Sequence, residues 1–207
     1  MEQVLAVYER PYDAKHPVLC FDERPCQLID NVMVPTPAQP GRVRREDYHY
    51  KRCGTAVVLL AVEPLTGRRL VQVTSRKTKK EYAEFMKMVA QEYPNAENIT
   101  VIQDNLNTHH PASFYQRYPA SQAFKLTSKI KMVYTPKKAS WLNMAEIDFS
   151  ALARQCLKRR IPTLQLLSDE VYAWARVRNK KRIKIRWQFS LRSARAKFHS
   201  AYKNVRK

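Results

Sequence analysis

Three acidic residues lie in sequence contexts that could place them around metal ions. Asp22 follows the apolar residues VLCF, and Asp104 follows a second largely apolar run, ITVIQ. Glu146 lies in SWLNMAEIDFSALARQCL, whose pattern predicts a helix. Hard cations such as Mg²⁺ prefer carboxylate oxygens, and a pair of such ions supports in-line displacement at a phosphodiester. The three residues therefore form a candidate carboxylate cage for two divalent cations.

The chain around these acids is strongly basic, with a formal net charge of +20. Acids gathered in a metal site within a cationic protein indicate a nucleic-acid substrate, because cations are needed to hold a phosphate backbone. The 207 residues are enough for one main domain with an extension. A hydrophobic content of 44% excludes a wholly disordered chain.

The sequence predicts a soluble, cytoplasmic protein. The first residues, MEQVLAVYERPYDAKHP, contain no uninterrupted apolar stretch, and no segment approaches the roughly 20 apolar residues of a membrane span. The cysteines show no C-x-x-C spacing, which favours reduced structural thiols over disulfides or a zinc site. These are Cys20, Cys26, Cys53 and Cys156. We expect no membrane partner.

Hydrophobic patterns and turn residues predict a mixed order of strands and helices. The first predicted elements are strands over residues 17–22, 54–62 and 69–74, followed by a helix from the capping pair Thr78 and Glu81 to Pro94. After it come a strand over 99–104, a helical stretch over 112–122, a strand over 130–134 and the helix that carries Glu146. This order predicts an α/β fold with a mixed five-stranded sheet flanked by helices. The first three strands are expected to be antiparallel, and right-handed helical crossovers join the later ones.

The predicted sheet would bring the acids together. Asp22 and Asp104 each lie at the carboxyl end of a predicted strand, where ligands gather in sheets of this kind. If those strands are neighbours, the two carboxylates converge and a flanking helix can add Glu146. Taken singly, a strand-end aspartate is often a turn residue, but the combination favours a metal site.

Asp148 competes with Glu146 for the third position. At about 100° per residue the two side chains point about 200° apart on a helix, so at most one reaches the metals. They flank an apolar stripe formed by Leu142, Ala145, Phe149, Leu152 and Cys156. Periodicity alone does not choose between the two acids.

Residues 24–53 predict a long basic loop inserted in the main domain. Four prolines and Gly41 interrupt this stretch, and its length suggests a functional role. Its cations Arg42, Arg44 and Arg45 are candidates for DNA contact.

A basic C-terminal helical extension is predicted over residues 166–207, following a catalytic domain over residues 1–165. From Val171 to the end there are thirteen lysines and arginines and no acid, which favours contact with a phosphate backbone. The candidates are Lys180, Lys181, Arg182, Lys184 and Arg186. An apolar stripe formed by Leu164, Leu167, Val171 and Trp174 predicts that the start of the extension is docked on the domain.

With these residues in view, the chain resembles the catalytic half of a bacterial insertion-sequence transposase of the mariner-related DDE superfamily. The matching pieces are CFDE around Asp22, QDNLNTHH from Gln103, TPKKASWLNMAE leading to Glu146, and the following FSALARQCLKRRIP. The resemblance covers nearly the whole chain and implies a ribonuclease H-like fold. It also implies Asp22, Asp104 and Glu146 as the metal-binding triad, with two Mg²⁺ ions that Mn²⁺ can replace. Family members cut DNA at the ends of a mobile element and join the 3′ hydroxyls to target DNA, with a preference for a TA-containing target.

The sequence departs from the family pattern in two respects. The interval from Asp104 to Glu146 is longer than the family commonly has, and no helix-turn-helix segment precedes Asp22. We therefore expect one product of a split gene or a truncated copy, acting as a homodimer or with a separate upstream DNA-binding polypeptide. The resemblance implies a bacterial cytoplasmic location, at the nucleoid when DNA is bound.

Two further residues are candidate accessory groups. His109, next to His110, could contact a phosphate or assist proton transfer, and an ordinary loop histidine pair at a helix entry is an equal alternative. Asn143, with Trp141, is expected to position the catalytic helix, and Trp174 and Trp187 are expected in the core. Two other functions stay open: an inactive remnant that only binds DNA, and a related nuclease acting on RNA or an RNA/DNA hybrid.

Overall fold

The computed structural model describes residues 1–199, which form a five-stranded mixed sheet between two layers of helices. The strands are β1 (Val18–Asn31), β2 (Tyr50–Glu63), β3 (Arg68–Thr74), β4 (Ile99–Gln103) and β5 (Ile130–Tyr134). Their order is β3-β2-β1-β4-β5; the β1–β2 and β2–β3 pairs are antiparallel, and the β1–β4 and β4–β5 pairs are parallel. The predicted α/β class and mixed sheet are confirmed. Residues 200–207, the last part of the predicted extension, lie outside the described residues.

Helices cover both faces of the sheet. They are α1 (Glu2–Tyr8), α2 (Lys79–Glu92), α3 (Ala112–Arg117), α4 (Ala120–Lys129), α5 (Ala145–Gln155), α6 (Leu164–Lys180) and α7 (Leu191–Lys197). Successive strand side chains point to opposite faces, so Phe21 packs with α2 to α4 while Cys20 packs with α1, α5, α6 and α7. Along residues 1–199, no helix is both long and apolar enough to cross a membrane.

The predicted helix after Thr78 is confirmed. The Thr78 hydroxyl accepts a hydrogen bond from the Lys80 amide and contacts the Glu81 carboxylate, as in a capping box. Tyr82, Phe85 and their neighbours on the predicted stripe are buried, and the helix ends just before Pro94.

The predicted loop over residues 24–53 is wrong, because both flanking strands continue into it. β1 runs through Asp22 to Asn31, β2 begins at Tyr50, and the connection between them covers only residues 32–49. Pro25 is tolerated because β4 pairs with β1 only from Val18 to Cys20, which leaves one edge of the later β1 without a parallel partner. Asp22 therefore lies within a strand and not at its end.

Helix α1 is a feature that the sequence analysis did not predict. Its residues Val4, Leu5 and Val7 are buried against the α5 and α6 face of the sheet. The Tyr8 ring lies 5.4 Å from the Trp187 ring, and the Tyr8 hydroxyl donates to the Leu142 carbonyl over 2.7 Å. Helix α1 thus connects the C-terminal region with the turn that precedes α5.

The predicted docking of the extension is confirmed for α6, whose Leu167, Val171 and Trp174 are buried in the same core as the sheet. Beyond α6, residues 182–189 lack helix or strand structure and cross the β2–β3 turn, where the Ile185 amide donates to the Pro64 carbonyl over 3.1 Å. We call residues 182–189 the strap.

Gly67 is the position where the strap passes closest to the β2–β3 turn. It has a φ of +76°, and a Cβ there would lie 2.7 Å from the Ile183 carbonyl oxygen. Gly41 has the same φ of +76°, but a Cβ there would have nothing within 4 Å. The two glycines therefore share a backbone conformation and differ in the close approach.

We expect Gly67→Ala to lower the free energy of unfolding by about 1–3 kcal/mol more than Gly41→Ala, because only Gly67→Ala adds a clash to the strained φ. Urea denaturation of the two variants measures the difference. Equal destabilisation of the two variants would show that the strap moves away at Ile183 with no measurable cost in stability.

Candidate active site

The register of the two central parallel strands places Asp22 and Asp104 side by side. Cys20 pairs with Ile102, and two residues farther along each chain are Asp22 and Asp104. Both acids lie near the carboxyl end of β4, the edge at which ligands gather in such sheets. The convergence expected from the sequence is therefore present, although Asp22 reaches it from inside a longer strand.

Asp22 lies in a crowded, half-buried and negatively charged setting. Its pKa is raised to about 7, mainly by burial and also by the charges of Glu146 and Asp104, against the lowering effect of the Glu23 amide. That amide donates to Asp22 Oδ1 over 2.8 Å. A carboxylate held under these conditions is one that a nearby cation would stabilise.

Asn143 joins the start of α5 to β1. Its Nδ2 donates to the Phe21 carbonyl over 2.7 Å and to Asp22 Oδ2 over 3.3 Å. Its Oδ1 accepts from the Ala145 amide over 3.2 Å, which satisfies one of the free N–H groups of the first turn of α5. The side chain is buried, so its contacts are with protein, in agreement with the predicted positioning role.

Asp104 is held by a buried histidine. His109 Nδ1 lies 2.5 Å from Asp104 Oδ1, and His109 Nε2 lies 3.4 Å from Glu23 Oε1. Lys77 forms an ion pair with the same Glu23 oxygen. Burial alone would lower the pKa of His109, but its hydrogen bonds to the two carboxylates outweigh burial and raise the pKa to about 9. His109 thus carries a positive charge between two acids at neutral pH.

The environment of His109 favours an orienting role over direct phosphate contact. The ring is fully buried and stacks on Tyr82 with 4.9 Å between centroids, while Gln103 donates to the His109 carbonyl over 2.9 Å. His110, by contrast, is partly exposed and lies beside Tyr134. Of the two candidate histidines, only His109 touches a candidate metal ligand.

Glu146 and Asp148 occupy opposite environments on α5. Glu146 lies exposed in the first turn, and its charge acts on Asp22. Asp148 is fully buried: its Oδ2 lies 2.8 Å from Arg69 Nε, and its Oδ1 accepts from Arg178 over 2.9 Å. The charge of Asp148 is therefore used in packing α5 against β3 and α6.

The donor set suits a hard divalent cation. Asp22, Asp104 and Glu146 offer only carboxylate oxygens, which are the ligands that Mg²⁺ and Mn²⁺ prefer. In the part of the chain that the structure describes, no three His, Cys, Asp or Glu side chains are placed to hold one ion together. Closing a cage would require the exposed Glu146 to turn toward the two aspartates.

The predicted DNA-binding cations lie in two places away from these acids. Arg42, Arg44 and Arg45 are exposed in the 32–49 connection. The other five are exposed at the end of α6 and in the strap, beside the β2–β3 turn and the amino end of β1. They are Lys180, Lys181, Arg182, Lys184 and Arg186. The structure does not bring either group into contact with Asp22 or Asp104.

Sequence reasoning missed the supporting residues Glu23, Arg69 and Arg178. Glu23 had a usable signal, since it directly follows Asp22 and its side chain is 3% exposed. Arg69 occupies a buried position in the alternating strand RRLVQVT, where a lone charge indicates a buried partner. The identity of that partner depends on contacts distant in sequence.

We expect Asp148→Asn to lower the free energy of unfolding by about 3–5 kcal/mol, because it leaves two buried arginines without their carboxylate. Loss of activity in Asp148→Asn would then follow from unfolding and would not identify Asp148 as a metal ligand. Glu146→Gln, an exposed change two residues away, serves as the control and should alter stability by less than about 0.5 kcal/mol. Chemical denaturation checks both; similar losses in the two variants would contradict the assignment.

Comparisons with known proteins agree with this geometry. The family model described as DDE superfamily endonuclease matches residues 17–168. The crystal structure of the Mos1 mariner paired end complex with Mn has a TM-score of 0.57 and 11% identity, covering 84% of this chain and 52% of that chain. The Mos1 strand transfer complex has a TM-score of 0.56 and 10% identity, with coverage of 87% and 54%.

A third solved structure is the simian T-cell lymphotropic virus intasome in complex with PP2A regulatory subunit B56 gamma. It has a TM-score of 0.50 and 11% identity, covering 77% of this chain and 48% of that chain. No curated protein matches the sequence. The chain spans about half the length of the solved chains it matches, and at these identities the likeness is one of fold.

The sheet order, the proximity of Asp22 on β1 to Asp104 at the carboxyl end of β4, and the family match lead to one assignment. The chain has a ribonuclease H-like fold and belongs to the DDE superfamily endonuclease family.

Proposed function

We propose that this chain is the catalytic part of a transposase that cuts DNA at the ends of a mobile element and transfers the freed strands to target DNA. The observation that carries the proposal is the proximity of Asp22 on β1 to Asp104 at the carboxyl end of the adjacent parallel strand β4, beside a helix with Glu146 in its first turn, in a DDE endonuclease. Residues 1–165 form the catalytic domain in this proposal, and residues 166–207 form its basic extension.

Asp22, Asp104 and Glu146 would hold two Mg²⁺ ions, with Mn²⁺ as a substitute. Bound ions of this kind activate the attacking oxygen and stabilise the leaving oxygen of a phosphodiester. Around them, Asn143 fixes Asp22 and the start of α5, and His109 fixes Asp104. Hydrogen bonds from neighbouring groups to metal-binding side chains orient those side chains and tune their affinity for the metal.

The substrate in this proposal is DNA, comprising the element ends and a TA-containing target. A formal charge of +20 supports binding of a polyanion. The exposed Arg42, Arg44 and Arg45 and the cations of the strap are the proposed backbone contacts. Their distance from the acids suggests that they hold DNA on either side of the cleavage point.

The proposal includes a second component. The 32–49 connection exposes Val34, Val43 and Tyr48 next to its arginines, a mixed apolar and cationic surface that suits a second copy of the chain. The chain then works as a homodimer, or with a separate upstream polypeptide that recognises the element ends. The proposed location is the bacterial cytoplasm, at the nucleoid when DNA is bound.

We expect purified protein to nick or cut a supercoiled plasmid with Mg²⁺ or Mn²⁺, and Asp104→Asn to reduce the rate at least about 1,000-fold, because a carboxylate that would hold the ions is lost. Asp169→Asn, an exposed change on α6, is the control and should cut as the wild type does. Gel analysis of plasmid forms measures the rate, and the proposed upstream polypeptide is added in a parallel reaction.

DNA binding without cutting in every mixture would contradict the catalytic proposal and leave an inactive remnant. Cutting of RNA or an RNA/DNA hybrid in place of DNA would contradict the substrate.

We also expect Asp22→Asn to stabilise the protein in chelator. The pKa of Asp22 is raised to about 7 by burial and by the two nearby acids, so the folded state favours the neutral form. The stability that the neutral carboxyl contributes is lost as pH rises through about 7. The melting temperature of Asp22→Asn should therefore exceed that of the wild type at pH 8 and approach it at pH 5.

Added Mn²⁺ should reverse this order, since only the wild type gains stability by binding the ion. Thermal unfolding with and without Mn²⁺ measures both effects. A lower melting temperature for Asp22→Asn in chelator at pH 8 would contradict the electrostatic account.

A further inference from the structure

The strap alternates between polar residues that face solvent, three of them cationic, and apolar residues that face the protein. Arg182, Lys184, Arg186 and Gln188 are exposed, whereas Ile183, Ile185, Trp187 and Phe189 are buried or half-buried. This period of two is that of an extended chain lying on a surface. The strap lies beyond residue 168, where the family match ends.

The inner row of the strap leads from the β2–β3 turn to the turn that precedes α5. It starts at Ile183, whose carbonyl accepts from Arg69 Nη2 over 2.8 Å. The Trp187 ring then packs on Tyr8, and the Phe189 ring lies 5.5 Å from the Trp141 ring in an edge-to-face arrangement. The Trp187 indole donates to the Phe189 carbonyl over 2.8 Å, which fixes the two aromatic residues relative to each other.

Both aromatic contacts act on the same short segment. Trp141 and Leu142 belong to the 3₁₀ turn Ser140–Leu142, and the Leu142 carbonyl accepts from the Tyr8 hydroxyl. Asn143 follows immediately and donates to Phe21 and Asp22. The strap therefore holds this turn at Trp141 directly and at Leu142 through Tyr8.

Helix α7 secures the far end of the strap. Ser190 caps the helix, and the Leu191 amide donates to the Glu9 carboxylate over 2.8 Å. Arg195 forms an ion pair with Glu2 over 2.9 Å, and Phe198 packs on Phe189. The strap is thus tied at both ends, to β3 through Arg69 and to α1 through α7.

We propose that the strap is a positioning element of the active site, in which Phe189 and Trp187 hold the Ser140–Leu142 turn so that Asn143 stays on Asp22. The proposal rests on the proposed function, because it assigns a role in the same site. Phe189 and Trp187 are positioning residues, since they act through Trp141 and Tyr8 and do not approach Asp22 or Asp104. The three exposed cations of the strap would then tie backbone contact with DNA to the geometry of the site.

The first test is Phe189→Ala in single-turnover cleavage at saturating DNA and Mn²⁺. We expect the rate to fall at least about tenfold, because displacement of a catalytic group by 1 Å can reduce a rate up to about 100-fold. DNA affinity should be unchanged, Phe189→Leu should restore most of the rate, and Gln188→Ala, the exposed neighbour, should match the wild type. A wild-type rate in Phe189→Ala would overturn the proposal.

A double-mutant cycle tests the route through Trp141. Trp141→Ala and Phe189→Ala should each slow cleavage, and the double variant should be no slower than the slower single variant. Strictly additive effects would overturn the route. Melting temperatures identify a variant that is slow because it is partly unfolded, and the cycle is then run below that transition.

An activity-independent measurement separates this proposal from the proposed function. Exchange of the Asn143 side-chain amide protons, followed by NMR, should be slow in the wild type and in Gln188→Ala and at least about tenfold faster in Phe189→Ala. Unchanged exchange overturns the positioning role even if the protein cuts DNA. Faster exchange in a protein that never cuts DNA supports the positioning role and removes the proposed function.

Discussion

A single buried carboxylate holds together the elements that present the candidate site. Asp148 on α5 binds Arg69 on β3 and Arg178 on α6, and all three side chains are almost completely buried. Removing Asp148 would leave two cationic side chains without their carboxylate in a low-dielectric interior. The rotation of α5 about its axis is therefore fixed, and with it the side of the helix on which Glu146 lies. Arg69 also donates a hydrogen bond to the Ile183 carbonyl of the strap. Helix α5 and the C-terminal region are therefore both held by Arg69.

Repulsion among the carboxylates of the candidate site raises the free energy of the folded protein, and neighbouring groups offset part of this cost. Asp22, Asp104 and Glu146 repel each other, and burial penalises the charge on Asp22 further. The Glu23 amide and the Asn143 side chain each donate a hydrogen bond to Asp22, and the charged His109 lies against Asp104. These three contacts reduce the repulsion between the acids. These neighbours allow two aspartates to remain on adjacent strands before any cation binds. Sites of this kind lower the folding stability of a protein, while they hold groups that could bind a metal close together in advance.

The sequence predicts the parts of the fold in which local pattern and burial agree. Strands β4 and β5 are short apolar runs whose predicted bounds agree with the structure within one residue, and β1 and β4 are neighbours, which is the condition set for the convergence of Asp22 and Asp104. The second half of β1 is not recognisable in the sequence because most of its residues are half-buried or exposed and it contains Pro25, so its hydrophobic alternation disappears. Periodicity could not separate Glu146 from Asp148, since the arginines that bind Asp148 lie 79 and 30 residues away. In the strap, the high charge concealed a period-two pattern that was present in IKIRWQF.

The continuation of β1 past Asp22 sets a length scale for the whole molecule. Nine strand residues follow Asp22 before β1 ends at Asn31. At about 3.3 Å per residue, the β1–β2 hairpin extends about 30 Å from the acids to the beginning of the arginine-bearing connection. Duplex DNA rises about 3.4 Å per base pair, so this span equals roughly nine base pairs, close to one helical turn. A duplex lying along the hairpin would therefore complete almost one helical turn between Asp22 and the end of β1 at Asn31.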